Sequence, residues 1–485
     1  MIPIARDRLA IVAADGVFSY FDLAQAAARI GAQLAGPGGH LREARVAYLV
    51  PPSFAHVVIT RGIWLAGGVA VPLAVSHPPP ELAHVVRDSG ASIVIGSGRQ
   101  AGALEEIAES TGAAFIRTAD LIAGDAEVGD AAGPPTPTTQ EPGSPTSRAL
   151  ILYTSGTTGR PKGVVTTHAN IAAQITALLE AWEWSNTDRA LCVLPLHHVH
   201  GLINVVGSAL AAGASCEILP QFETEPTWER LASGEITVFS AVPTMYHRLI
   251  ASYDAATPRV QQVRSDGART VRLMMSGSAP LPRTTLERWR EITGHTLLER
   301  YGMTELGMAL SNPLHGERRA GFVGTPLPGV EVRLVDDELQ VRGPGVFLEY
   351  WQRARETAQA FADGWFMTGD VAALEDGAYR LLGRRSTDII KSGGYKVSAL
   401  EVEETLREHP AIADCSVGGA VDDEWGERVE VTVELAPSAS LTIDALREWA
   451  KSRLAPYKVP RVLHVVAALP RNAMGKVVKQ KRTPE

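Results

Sequence analysis

Residues 153–163 read YTSGTTGRPKG, which gathers glycines, hydroxyls and one lysine in a single short stretch. Gly156, Gly159 and Gly163 allow the main chain to approach an anion closely. The hydroxyls of Ser155, Thr157 and Thr158 and the ammonium of Lys162 supply donors and positive charge. An apolar run at 149–152 leads directly into the stretch, as a strand feeding a phosphate-binding loop would. This chemistry suits a nucleotide triphosphate. It is not a Walker A loop, because the GxxxxGK[ST] spacing is absent. On composition alone the same string also reads as a flexible hairpin loop that holds no ligand.

The elements around that loop follow a recognisable alternation. Residues 46–50 read as a strand, 53–65 as a helix, 69–73 as a strand, 80–88 as a helix and 91–95 as a strand. Short apolar strands alternating with helices imply a parallel sheet covered on both faces. Upstream, Ser19 followed by Asp22 looks like the N-cap of an alanine-rich helix. Between about 124 and 147 the chain turns to Gly, Pro, Thr, Ser and acids, the composition of a mobile surface connection. A better domain boundary lies near 383–391. Beyond it, Ser398 and Glu401 form a capping-box pair that opens a helix through 408. Strands at 413–421 and 428–435, a helix at 442–454 and a strand at 461–466 complete the chain. The expected fold is α/β: a large N-terminal domain of layered sheets and helices at 1–385, then a small mobile α+β domain at 386–485.

The bulk properties narrow the function classes. A chain of 485 residues is too long for one simple core. A net charge of −8 leaves no basic footprint for a nucleic acid. Cys192, Cys216 and Cys415 are far apart and form neither a metal-ligand pair nor a disulfide framework. The N-terminus has no signal-peptide layout. The most apolar stretch, 54–75, is broken by His56, Arg61, Gly67 and Gly68, so it does not read as a membrane span. A soluble, cytoplasmic protein is expected, with no nucleic-acid or membrane partner; oligomeric state is not readable.

The loop at 153–163 resembles the signature of the adenylate-forming superfamily, which includes acyl-CoA synthetases, peptide-synthetase adenylation domains and luciferases. Further motifs follow in the family's order: PLHHVHG at 195–201, SGSAP at 276–280, YGMTE at 301–305 and WFMTGD at 365–370. Gly383-Arg384, SGGYK at 392–396 and PRNAMGK at 470–476 close the series. The resemblance implies ATP and coenzyme A as co-substrates, with Mg²⁺ as cofactor. It also implies nucleotide contacts from Thr154, Ser155, Gly156, Thr157, Thr158, Gly159 and Lys162. The loop Gly277, Ser278, Ala279 and Pro280 would line adenine, and Tyr301, Gly302 and Met303 would border the nucleotide.

Joining a carboxylate to the α-phosphate of ATP requires their mutual repulsion to be screened and their atoms aligned. By the resemblance, Lys476 is the main cation at that step and Thr304 donates a hydrogen bond to the α-phosphate. Glu305 would hold Mg²⁺, Asp370 would accept from the ribose hydroxyls and Arg384 would make a second ribose contact. Taken singly, each could be an ordinary surface or capping residue. The resemblance also implies that in the second half-reaction the C-terminal domain turns, so that Ser392, Gly393 and Gly394 face the site and shape a thiol tunnel. The run from Gly383 to the SGG segment is one residue longer than in some relatives, which puts the hinge within 386–388.

His198 and Ser276 are expected at the acid pocket. The stretch 239–248 carries no acidic residue to hold a substrate amine, so amino acids are not expected, and free coenzyme A is the expected acceptor. Arg300 precedes Tyr301, where the segment borders the acyl site. A guanidinium there could hold a second carboxylate in a bidentate pair. The run ERYGMTE, with Met308 and the motifs at 324–329 and 392–403, resembles malonyl-CoA synthetases. Malonate is therefore the expected acid, with methylmalonate tolerated if space allows. Other readings are that Arg300 faces solvent or pairs with Glu299 or Glu305, that the acid is another short, medium or aryl acid, or that the chain is a nucleotide or adenylate sensor.

Overall fold

The alternation after residue 45 folds as its period requires. Strands Arg45–Leu49, Val69–Pro72, Ile93–Gly96 and Ala114–Arg117 are parallel, and Arg148–Thr154 joins them alongside Val69–Pro72. Helices Phe54–Leu65, Pro79–Ser89 and Ala101–Thr111 make the crossovers. Lys162–Thr167 returns antiparallel to Arg148–Thr154, which pairs Thr154 with Lys162 at the two ends of the phosphate-loop motif. The computed structural model describes residues 7–123, 144–154, 161–422, 425–471 and 477–479. Most of the connection expected at 124–147 (residues 124–143), the loop residues Ser155, Gly156, Thr157, Thr158 and Gly159, and Lys476 lie outside the described residues.

A second, larger sheet carries the rest of the big domain. Its parallel part runs Ser215–Ile218, Arg189–Cys192, Val238–Ala241, Leu273–Ser276 and Leu298–Met303. At Leu298–Met303 the direction changes, because Gly307–Ser311 pairs with it antiparallel. An antiparallel continuation follows, which includes the hairpin Trp365–Glu375 and Ala378–Arg384 and ends at Glu338–Arg342 and Glu331–Val335. Ligand sites in open α/β sheets collect at the carboxyl ends of strands where the order or direction changes. Ser276, Arg300 and Tyr301 stand at that place.

The helix Tyr20–Ala35 opens with the anticipated capping box: Ser19 Oγ accepts from Asp22 N, and the Asp22 carboxylate accepts from Ser19 N. The large sheet's second core is aromatic. Trp228 stacks on Trp289 at 5.5 Å between centroids, and Tyr246 meets Trp289 edge-on at 4.8 Å. All three rings are fully buried.

Strands Ile389–Ser392, Tyr395–Ser398, Ile412–Asp422, Gly426–Leu435 and Val462–Val466 form a separate sheet. Its core joins Ile390, Val397, Val402, Leu406, Val431 and Leu446. The first helix here ends at Leu406, earlier than the sequence pattern suggested. Only half of its capping box forms, with Ser398 Oγ accepting from Glu401 N. Ser398 Oγ instead donates to Leu382 O in the large domain. Two further contacts join the domains: Lys396 Nζ to Asp337 Oδ2 at 2.8 Å, and Arg283 N to Glu404 Oε1 at 2.9 Å. No helix among the described residues is long and apolar enough to cross a membrane.

Replacing Trp289 by alanine removes the centre of the aromatic core and should cost about 3–5 kcal/mol. Urea unfolding followed by tryptophan fluorescence would measure it, and a change below the lower figure would show that this core collapses around the gap.

Candidate active site

Strand Leu298–Met303 places successive side chains on opposite faces, and this separates Glu299 from Arg300. Both are buried. The Glu299 carboxylate accepts from Gly321 N at 2.9 Å. The Arg300 guanidinium points the other way, over Gly277, and donates from Nη2 to His200 Nε2. It makes no ion pair among the described residues, and its Nε has no hydrogen-bond partner. These contacts replace the solvent-facing reading of Arg300 and the pairings with Glu299 or Glu305. Burial lowers the Arg300 pKa to about 10, so the group stays charged at neutral pH.

Room for that charge is made by its neighbours. A Cβ on Gly277 would lie 2.3 Å from Arg300 Nη1, so a side chain there would displace the guanidinium. Ser278, next in the chain, takes a left-handed φ of 69°, uncommon for a serine, and its Oγ lies 3.2 Å from His200 Nδ1. His200 opens the π-helical segment His200–Gly207, and its Nε2 also lies 2.8 Å from Ser240 Oγ. Arginine can only donate, so Nε2 is the acceptor and the ring proton sits on Nδ1, where it donates to Ser278 Oγ. Burial, the Arg300 charge and His198 hold the His200 pKa well below the ordinary histidine range, which keeps this ring neutral. Ser276 Oγ, fully buried beside this group, has no partner.

A second cluster adjoins the first through Tyr301. Register on the hairpin Trp365–Glu375 and Ala378–Arg384 sets Asp370 opposite Arg384. Tyr301 Oη donates to Asp370 Oδ2 at 2.5 Å, and Arg384 Nε meets Asp370 Oδ1 at 2.9 Å. Burial would lower the Arg384 pKa, but Asp370, Tyr301 and Glu305 outweigh it and the net shift is upward. Glu305 is buried and accepts from Tyr350 Oη at 3.1 Å. Burial raises its pKa despite those donors. Lys162 lies 5.4 Å from the Tyr350 ring centre and pairs with Glu356, which brings this end of the phosphate-loop motif to the Glu305 side of the site.

The structure thus gathers Arg300, Ser276, Gly277 and Ser278 in one group, and Tyr301, Glu305, Asp370, Arg384 and Lys162 in the next. Gly302, Met303 and Thr304 are half-buried at the turn between strands. A Cβ on Gly302 would lie 2.1 Å from Gly307 O, so the tight turn needs glycine there. Ala279 and Pro280 continue the loop after Ser278. Sequence reasoning chose His198 for the acid pocket, whereas the ring that touches Arg300 is His200. His198 packs on His197 at 4.2 Å, and burial holds its pKa at about 4. Ser392, Gly393 and Gly394 are not gathered here: Gly393 N donates to Trp425 O, and Ser392 pairs with Tyr395 and Gly426.

The loop from Gly277 to Pro280 and the buried Arg300 lie at the carboxyl ends of parallel strands, and the Asp370–Arg384 pair of the antiparallel hairpin adjoins them through Tyr301. The chain belongs to the AMP-binding enzyme family: the model of that family matches residues 4–351, and the AMP-binding enzyme C-terminal domain matches 401–476. The chain is 44% identical to the malonate–CoA ligase ACSF3, mitochondrial, of Xenopus laevis, over 99% of this chain and 90% of that protein. It is 42% identical to the malonate–CoA ligase of Arabidopsis thaliana, over 98% and 85%. Among solved structures, ATP-bound MatB from Rhodopseudomonas palustris superposes with a TM-score of 0.88 at 32% identity, covering 97% of this chain and 94% of that one. A malonyl-CoA ligase product complex with methylmalonyl-CoA and AMP gives 0.67 at 36% identity, covering 96% and 97%.

Glu299 offers a test of this strand's burial. Burial first, and Glu404 second, raise its pKa from 4.5 to about 8, against the Gly321 hydrogen bond. The unfolded chain ionises this group more readily, so its contribution to stability is full below about pH 4.5 and is lost as pH rises through about 8. Glu299→Gln keeps an acceptor for Gly321 N and should flatten that decline. Melting temperatures measured from pH 5 to 9 should show the variant gaining on the wild type as pH rises; parallel curves would show Glu299 to be ionised throughout.

Proposed function

We propose that this chain is an ATP-dependent malonate–CoA ligase. It forms malonyl-adenylate with release of pyrophosphate, then malonyl-CoA with release of AMP. The observation that carries the choice of acid is Arg300, a buried, charged guanidinium with no carboxylate partner among the described residues. A fatty or aryl acid would leave that charge unmatched, at a cost of several kcal/mol. A dicarboxylate brings the missing anion. Its distal carboxylate meets Arg300, with Ser276 Oγ as a further donor, and its proximal carboxylate faces the nucleotide cluster. Neutral His200 holds the guanidinium in place without adding a like charge. Relatives named as malonate–CoA ligases support the same reading, and methylmalonate is the natural second substrate.

In the first step a proximal carboxylate oxygen attacks the α-phosphorus, and the bond to pyrophosphate breaks. Thr304 is assigned a hydrogen bond to the α-phosphate, and Lys476 the charge that screens the two anions. Asp370 and Arg384 hold the ribose hydroxyls, Tyr301 and the loop from Gly277 to Pro280 hold adenine, and residues 154–162 hold the outer phosphates. Glu305 fits Mg²⁺: it is a hard oxygen ligand kept nearly dry. The ion, when bound, neutralises phosphate charge.

In the second step the thiol sulfur of coenzyme A attacks the acyl carbon and AMP leaves. We assign the joint to residues 386–388, between domains 1–385 and 386–485, and the thiol path to Ser392, Gly393 and Gly394 after the smaller domain turns. The cytoplasmic location expected from composition has no support from the relatives, one of which bears a mitochondrial designation.

The test is competitive. An equimolar mixture of malonate, methylmalonate, succinate, acetate, butyrate and benzoate is supplied with ATP, Mg²⁺ and coenzyme A, and thioesters are read by mass spectrometry. Malonyl-CoA should lead. Arg300→Met should lower kcat/KM for malonate by about 100-fold or more and leave acetate unaffected or improved. A monocarboxylate thioester as the leading product would remove the malonate assignment.

A further inference from the structure

Three residues beyond Lys476, Lys479 is drawn into the body of the small domain. Its Nζ lies 2.7 Å from Asp388 Oδ1 and 2.7 Å from Glu403 Oε1. The side chain is only 20% exposed and Glu403 is almost fully buried. The ammonium sits between the two carboxylates as an ion triad. Both partners are themselves fixed: Glu403 Oε1 accepts from Val417 N at 2.8 Å, and Asp388 Oδ2 accepts from Arg384 N at 2.9 Å. A Cβ on Gly383 would lie 2.4 Å from Asp388 Cβ, so the chain passes Asp388 as closely as main chain permits.

These contacts continue into the nucleotide cluster. Tyr301 donates to Asp370, Asp370 pairs with Arg384, Arg384 N donates to Asp388, and Asp388 pairs with Lys479. The other side of the same segment is tied as well. Arg471 and Val477 form an antiparallel bridge, Val478 N donates to Pro470 O at 2.8 Å, and Arg471 pairs with Asp414 at 2.5 Å. Arg471, Val477 and Val478 are thereby fixed to one another, and Lys479 is tied to the joint between the domains.

We propose that Lys479 is a positioning residue for adenylate formation, fixing the segment that carries Lys476 to Asp388 and, through Arg384, to the ribose carboxylate Asp370. The inference rests on the ligase reading above and adds a residue to it. Glu403 lies beyond the joint and travels with Lys479, Asp388 is the joint's last residue, and the Arg384–Asp388 contact spans it. Turning within 386–388 loosens the Arg384–Asp388 contact and keeps the Lys479–Glu403 pair. Lys479 therefore matters to the half-reaction in which Lys476 acts, and not to thiol attack.

The half-reactions separate the possibilities. Lys479→Met should lower malonate-dependent ATP–pyrophosphate exchange by about 100-fold, the scale of a misplaced catalytic group. Thioester formation from supplied malonyl-adenylate and coenzyme A should be unchanged, and Lys479→Arg should restore most of the exchange. Because Lys479→Met leaves two buried carboxylates unmatched, the double variant Lys479→Met/Glu403→Gln is measured beside it and should show the same split. Equal loss in both half-reactions, or no loss in either, would overturn the proposal. A wild-type enzyme inactive with malonate would count against the malonate reading alone, since the split can be read with whichever acid it activates.

Discussion

A guanidinium taken out of water with no carboxylate beside it is the constraint around which the acid half of the site is organised. The desolvation of such a group costs several kcal/mol, and one neutral imidazole offsets only part of it. The surrounding structure makes the arrangement possible in small ways. Gly277 leaves the volume that the guanidinium fills, and Ser278 bends into a left-handed turn that puts its hydroxyl on the far nitrogen of His200. The change of strand direction at Leu298–Met303 frees the end of that strand from further parallel neighbours. Removing any of these would leave the charge with less space or a less fixed companion.

The nucleotide half rests on a different device. Asp370 and Arg384 face each other because they are register partners on one antiparallel hairpin, so backbone pairing sets their separation before any ligand arrives. The next residues of the chain form the joint to the small domain. The proposed ribose contacts and the proposed joint are therefore neighbours in the chain, separated by a single turn in which Asp388 N donates to Arg384 O.

Much of this was legible in the sequence, and the limits have physical causes. The strands and helices after residue 45 announced themselves by period, and Ser19 with Asp22 by a cap whose partners are local. The burial of Arg300 away from Glu299 was also implicit, since adjacent strand residues face opposite sides, but a strand assignment at 298–303 was needed to use that rule. The helix after Ser398 kept only half its cap because the Glu401 carboxylate is taken by Lys458 Nζ, a partner far along the chain that no local pattern records. His200 was missed for a subtler reason. The motif at 195–201 holds three histidines, and which of them reaches the pocket depends on a π-helical turn that ordinary helical spacing does not reveal.

That π-helical turn has an evolutionary consequence. A π segment is an ordinary helix with one residue too many, and each residue turns a helix by about 100°. Losing one residue from the segment His200–Gly207 would swing the imidazole out of register with Arg300 while leaving every pocket residue's identity intact. On the proposed reading, acid preference therefore depends partly on a residue count, and a one-codon deletion reaches it by a route that substitutions do not.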